Sequence, residues 1–521
     1  MGKAASLSAA SLGAVLVMGV VLLAAAGTAR ADESSALAAK LELLSGSAML
    51  IAADELGVTE IQGKPIGSPG GSPPGNSEAK KLTDVAIGTD PVRHENEPTV
   101  AANPKNKKLL VAGSHLFPAP TPGGIDCVAY TSSNGGNTWS AAFSMPQLTP
   151  ASQCSDPVLA YNADGSRVFY AYMDIKAGND WDIVVNYSDD DGATWLPVPI
   201  VALDGNPAAF IYDKPWVSTA QDDTNFVYVT ATQFSIIGAA DNIAFARSSN
   251  AGTSYGAPLL LDSAVFPIVV QGSRPEGGNG GEVLVAWYNS GPDGWLAGSF
   301  QIRTRLSTDN GATFGAINVA ANDSAELPFW LGPNAFYHRW WGGMFPDVEL
   351  TPGGSAHIVY THDPVAGSAN EEDGDVRYVT SGASPYTSWS SPATVNDDGL
   401  VRAQGYAALD VDVGGQASQL NAMWEDHRLS PTMPIVFPNS SNLYYDQFYS
   451  RKVPGAPGWM ENIRVSDVSS INDFIFIGDY VDLTSSNKLF GIWTDRRDKL
   501  SIFDLEDDVF GSEIIPGGGA P

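Results

Sequence analysis

Three sets of side chains in this 521-residue sequence have types and spacings suited to chemistry. The first is a series of charged residues, Glu97, Asp156, Asp213, Arg274, Asp347 and Asp479, each opening an apolar stretch of similar design. If those stretches are strands standing side by side, the charged groups converge at one end of the fold. There they could hold a polar ligand, or a hard cation such as calcium through oxygen ligands. The same carboxylates are equally suited to capping strand starts and pinning neighbouring strands. The second set lies in Glu326 to Gly343 (ELPFWLGPNAFYHRWWGG), where Trp330, Phe336, Tyr337, Trp340 and Trp341 surround His338 and Arg339. Aromatic rings cover the C–H faces of sugars while a few polar groups fix hydroxyls, so this loop is a candidate glycan-binding element. A loop that folds back and buries its own rings is the alternative. The third set is Trp-x-Asp-x-Arg, at Trp424-Asp426-Arg428 and Trp493-Asp495-Arg497, with a partial echo in Tyr172-Asp174. Its recurrence marks a repeated structural ion pair, since a catalyst is rarely repeated.

Familiar catalytic signatures are absent. The sequence has no His-Glu-x-x-His or Cys-x-x-Cys, and no glycine-rich phosphate loop followed by Lys-Ser/Thr; its Gly-x-Ser-x-Gly at Gly252 to Gly256 overlaps a repeated turn motif. The acidic clusters Asp189 to Asp191, Glu371 to Asp375 and Asp397-Asp398 lack the spacing of a calcium-binding loop and read as solvated turns. No dedicated metal site or cofactor is expected from them.

The elements that must position the candidate residues are legible as repeats. Four copies of Ser-x-Asp/Asn-x-Gly-x-Thr/Ser-aromatic occur at Ser132 to Trp139, Ser188 to Trp195, Ser248 to Tyr255 and Ser307 to Phe314. Their first serines stand 56, 60 and 59 residues apart, a period typical of solenoids, arrays and propellers. An Asp or Asn that bonds its own backbone, followed by a Gly free to take positive φ, makes a turn, and the flanking Thr and aromatic favour strands. Each copy is therefore a hairpin. A degenerate fifth copy lies at Ser381 to Trp389. A second pattern, a polar residue often next to Pro and then two apolar runs separated by a turn, recurs seven times, beginning near Glu97, Asp156, Asp213, Arg274, Asp347, Tyr406 and Asp479. Units of about 60 residues hold four strands, which is one propeller blade. An all-β propeller of four-stranded antiparallel blades follows, with seven blades favoured and six the alternative. The stretch Asp84 to Gly88 and a last strand at Ser501 to Phe510 are expected to complete one shared blade.

The four-fold motif resembles the Asp-box, or BNR, repeat of the sialidase superfamily, over nearly the whole folded length from Leu82 to about Phe510. The resemblance implies that the boxes are structural, joining the third and fourth strands of blades. It also implies exo-sialidase-type glycoside hydrolysis, in which three arginines clamp the sugar carboxylate and a Tyr activated by Glu attacks the sugar. Arg274, Arg339 and Arg402 lie near inner strands, as do Tyr406 and Tyr480 as nucleophile candidates, with Asp156 and Asp213 as acids. The family's first-arginine motif, Arg-Ile/Leu-Pro, is missing, because His94-Glu95-Asn96-Glu97-Pro98 follows Arg93. A non-catalytic propeller binding a glycan or a protein outside the cell is the rival reading.

Residues 1–31 combine Lys3, an apolar run from Val15 to Ala26 and Ala29-Arg30-Ala31, the layout of a cleavable secretory leader. A secreted or periplasmic protein is expected, with no lasting membrane span. Removing Lys3 and Arg30 with the leader takes the formal net charge from −30 to −32, which argues against nucleic-acid partners. Residues 32–81 read as a short helix and a Gly/Pro/Ser-rich linker, 82–510 as the propeller and 511–521 as a flexible tail. The two cysteines, Cys127 and Cys154, can pair after export, closing a loop worth roughly 3.5 kcal/mol; two free buried thiols are the alternative.

Overall fold

The computed structural model describes residues 43–44, 84–89, 93–118, 124–295, 298–323, 343–363, 374–400, 402–412, 419–430, 444–471, 477–485, 488–497 and 507–515. The leader, most of residues 32–81 and the aromatic insertion lie outside the described residues.

Strand β1 (Val85–Gly88) comes first in the chain. Blade I then comprises β2 (Arg93–Ala102), β3 (Leu110–Pro118), β4 (Asp126–Ser132) and β5 (Phe143–Ser144). Blade II comprises β6 (Gln153–Tyr161), β7 (Val168–Lys176), β8 (Asp180–Ser188) and β9 (Ile200–Leu203). Blade III comprises β10 (Phe210–Thr219), β11 (Val227–Ser235), β12 (Asp241–Ser248) and β13 (Leu259–Ala264). Blade IV comprises β14 (Val270–Gly277), β15 (Val283–Asn289), β16 (Phe300–Ser307) and β17 (Asn318–Asp323). Blade V comprises β18 (Asp347–Leu350), β19 (Ala356–His362), β20 (Asp375–Ser381) and β21 (Ala393–Thr394). Blade VI comprises β22 (Gln404–Asp412), β23 (Gln419–Asp426), β24 (Tyr444–Lys452) and β25 (Ile463–Arg464), with β26 (Ser470–Ile471) also paired to β24. Blade VII comprises β27 (Asp482–Ser485), β28 (Leu489–Asp495) and β29 (Asp508–Ile514), and its outermost strand is β1. The chain is a seven-bladed propeller closed by its own first strand.

Closure differs from expectation in one detail. The last strand runs to Ile514, so residues 511–514 belong to the propeller and not to a tail. The reason is apolar: Phe510 and Ile514 are buried in the final core cluster, and Gly511 pairs with both Ile492 and Val85.

Middle strands are buried on both faces. Strand β11 is buried at every position, and Trp287, Trp424 and Trp493, each on the second strand of its blade, are fully buried. Each buried side chain of this size contributes roughly 1.5–3 kcal/mol against exposure.

The four box segments sit at the hairpins between third and fourth strands. In the segment after β16, Ser307 Oγ donates to Asp309 at 2.7 Å and accepts from Gly311 N at 2.8 Å, while Thr313 N donates to Asp309 at 2.8 Å. The segment after β8 repeats these bonds with Ser188, Asp190, Gly192 and Thr194. Gly311 has φ +76°, and a Cβ there would meet the Phe245 ring at 2.6 Å. The glycine therefore lets each hairpin turn sharply and lean on the preceding blade. The degenerate copy occupies the same hairpin in blade V, where Tyr386 takes φ 54° and donates its hydroxyl to Glu282 at 2.8 Å. Cys127 on β4 and Cys154 on β6 form a disulfide that ties blade I to blade II.

Candidate functional site: a pocket at the channel mouth

The innermost strands share a local irregularity that aims side chains at the ring axis. β2, β6, β10, β14 and β22 each carry a bulge, and the bulged residue has positive φ: Glu97 (52°), Asp156 (51°), Lys214 (53°), Gly272 (63°) and Tyr406 (53°). Three are followed by Pro98, Pro157 and Pro215, which an innermost strand tolerates because one of its edges faces the channel. Bulges re-aim side chains, and here they swing the bulged residues toward one mouth of the channel.

At that mouth lies a small open pocket with a cavity volume of about 30 Å³, lined by Asp156, Lys214, Trp216, Arg274, Tyr406, Asp479 and Tyr480, with Phe345 and short backbone stretches completing it. Lys214 Nζ bonds Asp479 across the ring, and Arg274 Nη1 lies 2.7 Å from Asp347. The Arg274 guanidinium also stacks 3.5 Å over Trp216, whose ring meets Tyr480 edge-on at 5.7 Å. Gly272 is required beside them, because a Cβ would meet Phe345 Cγ at 2.2 Å.

Beneath Asp156 is a buried acid. Glu97 is fully enclosed, accepts a bond from Asp479 N at 3.3 Å and faces His115 Nδ1 at 3.2 Å. Burial, then the nearby Asp156 and Asp479 carboxylates, push the Glu97 carboxyl well above the usual carboxylate range, which favours its protonated form. Burial lowers His115 to about 3, leaving the imidazole neutral. Farther down the channel Glu276, Asp410 and Asp482 are raised by burial to about 8, 6 and 7. Several channel acids act as staples: Asp482 accepts Val100 N at 2.8 Å, Asp410 accepts Ser485 N at 2.8 Å and Asp347 accepts Leu409 N at 2.8 Å. Each satisfies a backbone donor on the exposed edge of the next inner strand. Among the described residues no group of three or more His, Cys, Asp or Glu is arranged to hold a metal ion.

The sequence candidates separate accordingly. Asp156, Arg274, Tyr406, Tyr480 and Asp479 meet in the pocket. Asp213 does not line it; its carboxylate accepts the Lys214 backbone N–H at 2.8 Å, because the bulge turns Lys214 inward in its place. Tyr480 donates its hydroxyl to Pro157 O at 3.0 Å, and burial holds its pKa well above the ordinary value, which is unfavourable for a nucleophile. Arg402 is outside the pocket wall, and Arg93 pairs with Asp126 at 2.9 Å. Arg339, Trp330, Tyr337, His338, Trp340 and Trp341 lie outside the described residues. Lys214, Trp216 and Phe345 were not singled out from sequence. Lys214 had a signal, since it precedes Pro as Glu97 and Asp156 do.

The Trp-x-Asp-x-Arg elements are structural. Trp424 Nε1 donates to Asp426 at 2.8 Å, and Arg428 bonds the same carboxylate at 2.8 Å while lying 4.2 Å over Phe448. Trp493, Asp495, Arg497 and Phe510 repeat this arrangement. Arg497 adds a bond to Asp84, just before β1, and so helps hold the closing strand.

No protein-family model matches the chain, and no curated protein matches it in sequence. Among solved structures it is similar to a Fusarium graminearum α-L-arabinofuranosidase in complex with arabinobiose, at 12% identity and TM-score 0.46 over 84% of this chain and 98% of that one. A Penicillium chrysogenum α-L-arabinanase complexed with arabinobiose gives 14% and 0.43 over 73% and 98%. A Trypanosoma rangeli sialidase in complex with sialic acid gives 12% and 0.41 over 74% of this chain and 59% of that one. In architecture the chain is a seven-bladed propeller, with its turn segments at the hairpins of third and fourth strands. Likenesses of this size say nothing of activity, so the chemistry must be read from this chain's own side chains.

Proposed function

We propose that the protein is an extracellular glycan-directed propeller that takes the end of a sugar chain into the channel-mouth pocket and hydrolyses its glycosidic bond. The observation that carries this reading is the pairing of aromatic walls, Trp216 and Tyr406, with the pocket acid Asp156, behind which the Glu97 carboxyl is fully buried and raised by that burial. Such a site can cover sugar C–H faces and supply a proton to a leaving oxygen. In this reading Asp156 is the acid that meets substrate, Glu97 is its proton store and Tyr406 is the facing hydroxyl. Export fits the leader at 1–31 and the disulfide.

The sialidase form of the reading has the least support. Arg274 is the single arginine on the pocket wall among the described residues, and Asp347 already holds it. Pairing of both pocket cations instead favours a second reading, a propeller that binds glycans without cleaving them.

Turnover of a panel of fluorogenic aryl glycosides by the purified chain, with an α-sialoside included, tests the proposal. Hydrolysis of one class, reduced roughly 10²-fold or more in Asp156→Asn, is expected. Saccharide binding without turnover of any substrate would select the second reading.

A further inference from the structure

Resting on the reading of the pocket as a glycan site, we infer that it selects neutral saccharides and rejects those bearing a carboxylate or sulfate. Both cations on its described wall have carboxylates of their own. Lys214 is 8% exposed and bonds Asp479, which enters from the far side of the ring. Arg274, equally enclosed, is held between Asp347 at 2.7 Å and the face of Trp216 at 3.5 Å. An anionic sugar could engage either cation only by displacing its carboxylate into a buried setting, which leaves an uncompensated charge. Asp156 adds a second acidic side chain to the wall beside Asp479, and the whole chain carries net −30, so the surrounding field also opposes anions.

Paired charges remain useful to a neutral ligand. A sugar hydroxyl is both donor and acceptor, so it can donate to Asp479 or Asp156 while accepting from Lys214 or Arg274, leaving both ion pairs intact. Their geometry is fixed before binding by the inner-strand bulges and by Gly272, so little ordering is needed when a ligand arrives.

Calorimetric binding of matched pairs tests the inference: lactose against sialyl-lactose, and neutral pentose and hexose oligosaccharides against their uronic-acid counterparts. At least one neutral member is expected to bind, with affinity insensitive to salt and about tenfold or more above its anionic counterpart. Asp347→Asn, which releases Arg274, should narrow that gap. Asp479→Asn, which releases Lys214, is the second variant should the first fail to fold. Equal or tighter binding of the anionic members by the unmodified protein would overturn the inference and leave the glycan reading standing. Failure of every saccharide in both classes to bind would overturn the glycan reading, and this inference with it.

Discussion

The hairpin boxes on the outer strands and the pocket at the channel mouth use the same side-chain vocabulary in opposite ways. In a box, Ser307, Asp309 and Thr313 close their hydrogen bonds within seven residues, and Asp309 stays exposed. In the pocket, Lys214 meets a carboxylate 265 residues away, and both are nearly enclosed. Locally closed polar groups recur because several blades use the same turn. Groups satisfied across the ring occur once, because only one place in the ring assembles them. The contrast separates structural carboxylates from candidate functional ones better than residue type does.

Variants can break or sharpen this contrast, and the largest effect is expected at a locally closed cluster. Asp495→Ala removes the acceptor shared by the Trp493 indole and Arg497, whose guanidinium keeps Asp84 and Asp467, so denaturant unfolding should show a loss of about 2–3 kcal/mol. Ser307→Ala removes a buried hydroxyl serving two bonds and should cost about 1–2 kcal/mol, with saccharide affinity unchanged. An equal loss of affinity in Ser307→Ala would erase the proposed division. Tyr480→Phe removes one buried bond to Pro157 O; about 1 kcal/mol of stability should go while turnover persists, and abolished turnover would instead make Tyr480 the nucleophile. Trp216→Phe keeps an aromatic wall but less of it, so saccharide affinity should fall about threefold to tenfold with a nearly constant melting midpoint.

The finest test is pH, where the two regions act with opposite sign. Glu276, Asp482 and Asp410 have carboxyls raised by burial to about 8, 7 and 6. Their contribution is fully present below the ordinary carboxylate range and is lost as pH rises through 6 to 8, so the melting midpoint should be higher at mildly acidic than at mildly alkaline pH. Hydrogen bonds from Thr313 lower Asp309 to about 2, so its contribution is present above 3.8 and lost as pH falls through 2. Asp482→Asn should flatten only the upper limb of the profile, and Asp309→Asn only the acid limb.

The sequence by itself determined the blades and favoured seven of them over six. Box chemistry is local, and a Ser, an Asp and a Gly at fixed offsets specify one turn wherever they stand. Seven apolar inner-strand patterns with turns between them then leave little but a ring, which Asp84 to Gly88 closes. The repeated Trp-Asp-Arg pair was legible for the same reason, since its members are two residues apart. Only the tertiary structure decided which residues face the pocket. Strand alternation alone cannot place a side chain beyond a bulge, and the bulge in β10 turned Lys214 inward in place of Asp213. The pairing of Lys214 with Asp479 and of Arg274 with Asp347 was likewise hidden, because contacts between different blades depend on the curvature of the closed ring and leave no fixed spacing in the chain.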